Sequence, residues 1–313
     1  MKLGTRASKL ALWQAHHVAD RLRHAGHAVE VVTFSTKGDR ILDTPLSEIG
    51  DKGLFTQELD RALLDGSISL AVHSLKDLPT TLPPGLGLAA VTEREEPWDA
   101  FVAHPDFSGA LADLPEGAVL ATSSLRRQAQ LKAWRPDLRI VSVRGNVPTR
   151  IAKLDASDWH GAILAAAGLI RLDLDARIRE RIDPAIMLPA VSQGALGIVC
   201  AESDTQTSDV LRAVLADADT TSAVTAERAL LRRLEGGCQV PVAAWARIDD
   251  GVLHLDGAVA SLDGSRHVRA VSSGSPAEAE MLGVALAETL LDRGAGDILR
   301  AIRAAAAPDV RLT

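Results

Sequence analysis

Short runs of β-branched and other apolar residues alternate with helical patterns over the first two-thirds of the chain. Apolar residues spaced three or four apart after Ser8 predict a helix that the Ser8 side chain can cap, and residues 29–34 predict a strand. A second helix is predicted to end at Gly66, and residues 68–72 after it predict a buried strand. Because strands that alternate with helices form parallel or mixed sheets, we expect an α/β fold.

The same alternation starts again after residues 93–99, a proline-containing segment that we interpret as a crossing between two domains. Ser123 or Ser124 can cap the first helix of this second run, and Thr149 starts another. A later strand would return the chain to the first domain, giving two crossovers. The predicted strands are 118–121, 138–143, 161–165 and 194–200.

From about Asp217 the pattern changes to that of a separate α+β domain. Helices are predicted at 221–235 and 276–292, and strand candidates between them are separated by Asp-Gly turns. We therefore predict domains at 1–93 with 194–214 (domain 1), 98–189 (domain 2) and 217–313 (domain 3).

Composition argues against several classes of function. The net charge of −7 and the aromatic content of 3% are unfavourable for binding nucleic acid. No apolar run is long enough for a transmembrane helix, and residues 1–6 do not have the pattern of a secretory signal. With only two cysteines, Cys200 and Cys238, a disulfide framework is not expected. We therefore expect a cytoplasmic protein with no nucleic-acid partner and no membrane partner.

The sequence carries no recognisable metal or nucleotide motif. His16 and His17 are adjacent and do not share a helical face, and neither an HExxH motif nor a CxxC pair occurs. Glycine-rich nucleotide fingerprints are lacking too. We therefore expect no bound metal ion.

Positive charge is concentrated between Thr122 and Arg150, where seven basic residues accompany one acidic residue. Ser124, Arg126 and Arg127 lie where a strand passes into a helix, at the end of the helix dipole that favours anions. Two arginines in a first helical turn are unfavourable there unless something compensates for them. A ligand that carries carboxylates would do so, and the alternative is a solvated arginine face.

A second basic segment, residues 143–150, follows another predicted strand, at the sheet edge where α/β proteins bind ligands. Gly145 permits close backbone approach, and Arg144 and Arg150 could bind an anion. An ordinary loop with exposed arginines explains this segment equally well. Arg171 is a similar but weaker candidate.

A third segment, residues 71–79, passes from a buried strand into polar residues. Asp77 could act as an acid or base, or could stabilise a cationic nitrogen, although spacing alone favours a turn carboxylate. Lys76 could bind an anion or pair with Asp77. His73 is interpreted as a hydrogen-bonded core histidine.

Cys238 lies in a glycine-rich loop after the C-terminus of a predicted helix. The negative end of a helix dipole does not lower the pKa of a thiol, so the position suits a thiolate nucleophile poorly. A thiol that is modified once and kept as a thioether fits better, and an inert small residue is the alternative. Cys200, within an apolar strand, is expected to be inert core.

In their order and spacing these segments resemble the hydroxymethylbilane synthase (porphobilinogen deaminase) family, and the resemblance covers nearly the whole chain. Any one motif could arise by chance, whereas the ordered set is highly specific. The matching stretches are residues 4–14, 38–45, 53–55, 58–59, 71–79, 122–128, 144–150, 188–194 and 234–241.

The resemblance implies an α/β fold of two periplasmic-binding-protein-like domains with mixed or parallel sheets, plus a smaller α+β C-terminal domain. It implies a transferase of haem and tetrapyrrole biosynthesis, with a monomer as the expected state. Such an enzyme adds four porphobilinogen units, releasing ammonia each time, to a dipyrromethane cofactor that it builds from its own substrate. Water then releases hydroxymethylbilane. The acetate and propionate groups of the growing polypyrrole chain would explain an arginine-rich cleft in an acidic protein.

The same resemblance implies roles for individual residues. Cys238 would hold the dipyrromethane cofactor through a thioether. Asp77 would be the catalytic carboxylate, which binds pyrrole N–H groups, stabilises the azafulvene cation formed on ammonia loss and delivers a proton to the leaving amine. The implied cofactor-binding residues are Lys76, Ser124, Arg126, Arg127 and Arg144. The implied substrate-binding residues are Arg6, Ser8, Lys52, Arg144, Arg150, Arg171 and Gln193.

Two residues depart from the family's pattern. Glu48 stands where some relatives have a lysine near the cleft, which puts one carboxylate contact in doubt. Pro148 stands where glycine is common and would stiffen the loop after Arg144. Neither departure removes the chemistry.

Two other functions are weighed against the sequence. A non-catalytic, two-lobed anion-binding protein explains the arginines but neither Cys238 on a third domain nor a carboxylate at Asp77. A transferase that uses Cys238 as a free nucleophile would need a nearby general base, which the local sequence does not provide.

Overall fold

The computed structural model describes residues 1–36, 56–234 and 240–306. The strands in these ranges are β1 (Lys2–Arg6), β2 (Glu30–Phe34), β3 (Leu70–Ser74), β4 (Leu86–Val91), β5 (Asp99–Ala103), β6 (Val119–Ala121), β7 (Arg139–Val141), β8 (Gly161–Ala165), β9 (Glu180–Arg181), β10 (Leu196–Ala201), β11 (Val242–Asp249), β12 (Val252–Ala260) and β13 (His267–Gly274). The α-helices are α1 (Lys9–His24), α2 (Gln57–Leu64), α3 (Leu125–Trp134), α4 (Val147–Asp155), α5 (Ala166–Ile170), α6 (Thr205–Leu215), α7 (Ala218–Arg233), α8 (Ala279–Asp292) and α9 (Ala295–Ala306).

The first sheet has the strand order β2-β1-β3-β10-β4. β1 runs parallel to β2 and β3, whereas β10 runs antiparallel to β3 and β4. Alternate residues of β3 face opposite sides, so Leu70 and Val72 pack with α1 and α6 while Ala71 packs with α2. Since β10 is inserted between β3 and β4, the predicted return of the chain to the first lobe is confirmed.

The second sheet has the strand order β7-β6-β8-β5-β9. β6 runs parallel to β7 and β8, and β5 runs antiparallel to β8 and β9. Its two faces are both buried, Phe101 packing with Leu131 of α3 and Val102 packing with Leu154 of α4. Burial on both faces explains why these strands are almost continuously apolar in sequence.

The third sheet is the antiparallel meander β11-β12-β13, packed against α7 and α8. Asp250 and Gly251 connect β11 to β12, and both have positive φ, at 50° and 75°. This is the hairpin geometry that the Asp-Gly pair predicts. The C-terminal part of the chain is therefore an α+β unit.

The expected architecture, two α/β lobes with mixed sheets and a smaller C-terminal α+β domain, is confirmed by these three sheets. Ser8 caps α1, where it accepts a hydrogen bond from the Ala11 N–H, and Ser124 rather than Ser123 caps α3. Predicted and observed ends of strands and helices differ by a few residues, as expected where helices fray and strands end. The boundaries of the three domains stay a prediction.

A buried carboxylate on α7 joins the C-terminal unit to both connections between the lobes. The Nη1 atom of Arg94, in the first connection, donates to Glu227 Oε1 at 2.6 Å. The N–H of Ser192, in the second connection, donates to Glu227 Oε2 at 2.5 Å, and the Ala246 N–H of β11 donates to Oε1 at 2.7 Å. Glu227 is fully buried, so these donors take the place of water and hold the two connections side by side.

None of the helices in the described part of the chain is both long enough and apolar enough to cross a membrane.

The close approach of α7 and α8 can be tested at Gly283. A Cβ atom there would lie 2.2 Å from the carbonyl oxygen of Ala226. We expect Gly283→Val to lower the free energy of unfolding by about 1–3 kcal/mol, because the two helices must separate. Denaturant unfolding measures this. Ala285→Val, which places the same side chain at an exposed position of α8, is the control; equal losses in both variants would contradict the tight helix contact.

Candidate active site

The basic segments of the second lobe meet at one edge of its sheet. β6, β7 and β8 are mutually parallel, so their carboxyl ends lie together. The segments that follow these strands carry the predicted ligand-binding arginines, which are Arg126, Arg127, Arg144, Arg150 and Arg171. The topology of the sheet therefore collects side chains that are up to 45 positions apart in the sequence.

The segment that carries Asp77 faces this edge from the first lobe. β3 passes into one turn of 3-10 helix at Leu75–Asp77, and the Leu75 N–H donates to the Ala195 carbonyl at 3.0 Å. Leu75 and Leu78 are buried and anchor the turn. Asp77 is exposed and Lys76 is partly exposed, as expected for side chains that reach a cleft.

Arg126 and Arg127 in the first turn of α3 are buried, with 5% and 6% of their surfaces exposed. They are not a solvated arginine face. Their compensating charge within the chain is Asp99, the first residue of β5, which is fully buried. Arg127 donates Nε and Nη2 to Asp99 Oδ1 at 3.0 and 2.8 Å, and Arg126 Nη1 lies 2.6 Å from Asp99 Oδ2. Burial alone would raise the pKa of Asp99, but the two guanidinium groups hold that pKa far below its usual value.

The sequence did not identify Asp99 as a site residue. It indicated only that Asp99 ends the segment, residues 93–99, predicted to cross between the two domains. A usable signal was present, because an aspartate that opens an otherwise apolar strand has to find a buried cationic partner. The prediction that Arg126 and Arg127 bind cofactor carboxylates stays a prediction. The structure adds that part of their hydrogen-bonding capacity is already used inside the protein.

Gln193 connects the two lobes at the bottom of the cleft. Its Nε2 atom donates to the Pro97 carbonyl at 2.7 Å and to Asp99 Oδ1 at 3.0 Å. Its Oε1 atom accepts from Lys76 Nζ at 3.2 Å. Burial of the amino group lowers the pKa of Lys76 to about 8, with Asp77 and Asp99 opposing the shift and Arg127 and Arg126 adding to it. This lysine therefore changes charge close to neutral pH.

Arg150 on α4 belongs to the same cluster. Its Nε atom donates to the Gly145 carbonyl at 2.8 Å, where Gly145 has a φ of +118° that favours glycine. The pKa of Arg150 is lowered to about 10, mainly by burial and also by the charges of Arg127 and Arg144, while the charge of Asp77 opposes the shift. Arg127, Arg144, Arg150 and Asp77 are thus close enough to interact electrostatically.

Arg171, just after α5, lies against the first lobe. Its guanidinium carbon is 5.6 Å from the centre of the Trp13 ring on α1, a cation–π contact, and its Nη2 donates to the Gly194 carbonyl at 2.6 Å. Burial lowers the pKa of Arg171 to about 10. Trp13 is a second residue that the sequence analysis missed, because this contact joins positions far apart in the chain.

At the N-terminus, Arg6 ends β1 and Ser8 caps α1, so both lie beside the segment after β3. His73 in β3 is buried, but among the described residues its Nε2 atom has no hydrogen-bond partner, unlike the satisfied core histidine that was expected. Burial lowers the pKa of His73 to about 4 and the charge of Arg6 adds to this, so the ring is neutral at pH 7. Cys200 is buried, as expected, and burial raises the pKa of its thiol.

Lys52, Glu48 and Cys238 lie outside the described residues. Their predicted roles, as a substrate-binding residue, a departure from the family's pattern and the attachment point of the cofactor, remain predictions. In the described part of the chain, α7, the helix that holds Glu227, ends at Arg233, and Cys238 comes five positions later in the sequence.

The described side chains suit an acidic ligand such as a pyrrole that carries carboxylates. The Nε–H groups of Arg126 and Arg171 are buried and lack any acceptor within the described ranges. An unsatisfied buried donor is costly, and ligand carboxylates would satisfy both. Residues 1–36, 56–234 and 240–306 contain no cluster of three or more histidine, cysteine or acidic side chains arranged to hold a metal ion.

Among solved structures, the methionine-binding protein MetQ superposes with a TM-score of 0.45 at 16% identity, covering 68% of this chain and 89% of that one. A periplasmic substrate-binding protein of an ABC transporter from Coxiella burnetii superposes with a TM-score of 0.41 at 18% identity, covering 68% and 91%.

Sequence comparison gives a much closer relationship. The family model "Porphobilinogen deaminase, dipyromethane cofactor binding domain" matches residues 1–209, and "Porphobilinogen deaminase, C-terminal domain" matches residues 221–292. A porphobilinogen deaminase from Syntrophotalea carbinolica is 53% identical over 304 residues, which cover 96% of each chain. The resemblance of the sequence motifs is thereby confirmed, and the chain belongs to the porphobilinogen deaminase family.

Proposed function

We propose that this protein is a hydroxymethylbilane synthase that joins four porphobilinogen molecules, with loss of ammonia at each addition, onto a dipyrromethane primer. Water then releases the linear tetrapyrrole. Family membership supports this assignment, and one feature of the cleft carries it. The exposed carboxylate of Asp77 faces a set of buried cations, two of which have unsatisfied N–H donors.

The cations bind and orient the acidic side chains of the substrate and of the growing chain. Lys76 and Arg150 interact electrostatically with Asp77 and with Arg127, and Arg144 interacts with Arg150. Charge-assisted bonds from guanidinium groups to carboxylates are strong and directional. The same donors can hold successive pyrroles, because each ring carries the same acidic groups.

Asp77 acts on the positive charge that develops on the substrate during the reaction. When the bond to the leaving nitrogen of the substrate breaks, positive charge develops on the ring that remains, and ammonia has to leave with a proton. A carboxylate beside that ring stabilises the cation, and its acid form can supply the proton.

Cys238 holds the primer through a thioether. Cys238 follows the C-terminus of α7 in the sequence, and the negative end of a helix dipole does not activate a thiol, so a permanent covalent link suits this position better than repeated nucleophilic attack. When bound, the dipyrromethane group supplies the carbon at which the next pyrrole is joined. Lys76, Ser124, Arg126, Arg127 and Arg144 are proposed to bind its carboxylates and ring nitrogens.

We also propose that the enzyme works as a monomer in the cytoplasm, with porphobilinogen and the polypyrrole chain as its ligands and with neither nucleic acid nor membrane as a partner. The presence of only two cysteines and the net charge of −7 support this setting. The two other functions weighed above, a non-catalytic anion-binding protein and a transferase with Cys238 as a free nucleophile, are disfavoured by family membership.

The covalent primer is tested by the intact mass of the purified protein. We expect wild-type protein to carry the added mass of two linked pyrroles and Cys238→Ser to lack it, because a serine oxygen does not form the thioether. Cys200→Ser is the matched control and should retain the added mass. An active wild type without any added mass would refute the assignment.

The role of Asp77 is tested by its amide. Asp77→Asn keeps the size of the side chain but loses its charge and its acid form, so we expect kcat to fall by about two to four orders of magnitude with the fold unchanged. Steady-state kinetics and circular dichroism measure these effects. Asp209→Asn, at an exposed position of α6, should leave kcat unchanged. Near-normal turnover of Asp77→Asn would remove Asp77 from the mechanism.

The charge of Lys76 predicts a pH dependence. Its pKa is lowered to about 8, so the amine is cationic below that pH and neutral above it. We expect the KM for porphobilinogen to rise about tenfold as the pH is raised through 8, since a charge-assisted hydrogen bond is lost. In Lys76→Arg this step in KM should disappear, because arginine stays charged. The same step in both proteins would show that another group titrates.

A further inference from the structure

Asp99 is a fully buried carboxylate whose Oδ1 atom accepts three hydrogen bonds, whereas its Oδ2 atom has the ion-pair contact with Arg126 but no hydrogen-bond partner among the described residues. Four donor atoms approach its carboxylate, which are Nε and Nη2 of Arg127, Nη1 of Arg126 and Nε2 of Gln193, at distances of 2.6 to 3.0 Å. No part of its surface is exposed. A carboxylate in this setting stays ionised, because two guanidinium groups outweigh the effect of burial.

Because of their bonds to Asp99, the two arginines differ in the N–H groups that remain available to a ligand. Arg127 has a partner for each nitrogen, since Nε and Nη2 donate to Asp99 and Nη1 donates to the Ile163 carbonyl at 2.8 Å. Arg126 directs Nη1 to Asp99 and to the Leu188 carbonyl, while its buried Nε–H finds no acceptor in the described part of the chain. Asp99 therefore determines which edge of Arg126 is presented to a ligand.

Asp99 also acts on the opposite lobe through Gln193. The amide nitrogen of Gln193 is held by Asp99 and by the Pro97 carbonyl, and this fixes the direction of its oxygen. That oxygen accepts from Lys76 Nζ, next to Asp77. One carboxylate thus connects the arginine pair of the second lobe to the catalytic segment of the first lobe.

Repulsion among the cations of the cleft explains why a buried carboxylate is needed there. Burial lowers the pKa values of Lys76, Arg126 and Arg150, the charge of Arg127 contributes to the lowering of all three, and Asp99 opposes it for Lys76 and Arg126. Without the anion, the arginine pair would retain only carbonyl acceptors, and repulsion would turn the side chains away from one another.

We propose that Asp99 is a positioning residue for the polymerisation reaction: it holds Arg126, Arg127 and, through Gln193, Lys76 in the arrangement that binds the carboxylates of primer and substrate. This inference rests on the proposed function. Asp99 itself touches no reacting atom, and its action is to fix the direction and the charge of the side chains that do.

The test compares Asp99→Asn with Asp256→Asn. Asp256 is the partner of Arg269 in the C-terminal domain, so its amide removes a carboxylate–arginine pair far from the cleft. We expect Asp99→Asn to fold, to lose most of the primer by intact mass, and to raise the KM for porphobilinogen at least about tenfold in the fraction that keeps the primer, with a smaller change in kcat. Asp256→Asn should match wild type in all three.

A second readout does not depend on activity. Acetic anhydride reacts only with a neutral amine, so the pH dependence of Lys76 acetylation, followed by peptide mass, reports the pKa of Lys76. Asp99 favours the cationic form of Lys76, so we expect the midpoint to move to lower pH in Asp99→Asn and to stay in place in Asp256→Asn. When both proteins are compared in the Cys238→Ser background, where neither carries the primer, a purely structural role for Asp99 would not move this midpoint in a folded protein.

If Asp99→Asn does not fold, Gln193→Met tests the connection alone, since it keeps the arginine pair with Asp99 and removes the acceptor of Lys76. The midpoint of Lys76 acetylation should again move to lower pH. An unchanged midpoint in either folded variant, or a folded Asp99→Asn with full primer and normal KM, would overturn the proposal. A wild type that carries no primer would instead overturn the proposed function and leave the acetylation result to stand on its own.

Discussion

The ion pairs of Asp99 with Arg126 and Arg127 are the interaction on which the cleft depends. Several guanidinium groups lie at the carboxyl ends of β6, β7 and β8, and Lys76 faces them from the segment after β3; these cations repel one another and lose hydration. A single buried carboxylate offsets part of this charge without cancelling it. The cleft therefore remains cationic inside a protein whose net charge is −7, which is the condition for holding a chain of acidic pyrroles.

A second buried carboxylate, that of Glu227, holds the two connections between the lobes. Glu227 on α7 binds the backbone of Ser192 and the side chain of Arg94, so the two connections between the lobes are held at one place on the C-terminal domain. Gln193, the neighbour of Ser192, is the residue that reaches Asp99 and Lys76. Glu227 thus supports the position of the segment that carries Asp77 indirectly. Cys238, the proposed attachment point of the primer, follows the same helix in the sequence.

The fold was predictable from the sequence because each pattern that was used reflects a requirement of the local structure. Ser8 satisfies the free N–H groups of a helix, Gly66 adopts the positive φ that ends one, and strands buried on both faces are apolar throughout. The candidate site was predictable only in part. The two arginines at the start of α3 indicated that something must compensate for them, but Asp99 lies 28 positions from Arg127 and Lys76 lies 117 positions from Gln193. Pairings over such distances are set by the arrangement of the sheets and leave no local mark. Family motifs supplied roles for Asp77 and Cys238 that spacing alone did not favour.

In the proposed reaction the cleft holds a chain that grows one pyrrole at a time on the protein itself. The intact mass of the wild-type enzyme after mixing with limiting porphobilinogen tests this growth directly. We expect a ladder of protein species above the primed form, separated by the mass of one porphobilinogen less ammonia and extending to four additions. Product formation with no protein-bound ladder, or protein that stays unmodified while substrate is consumed, would contradict it.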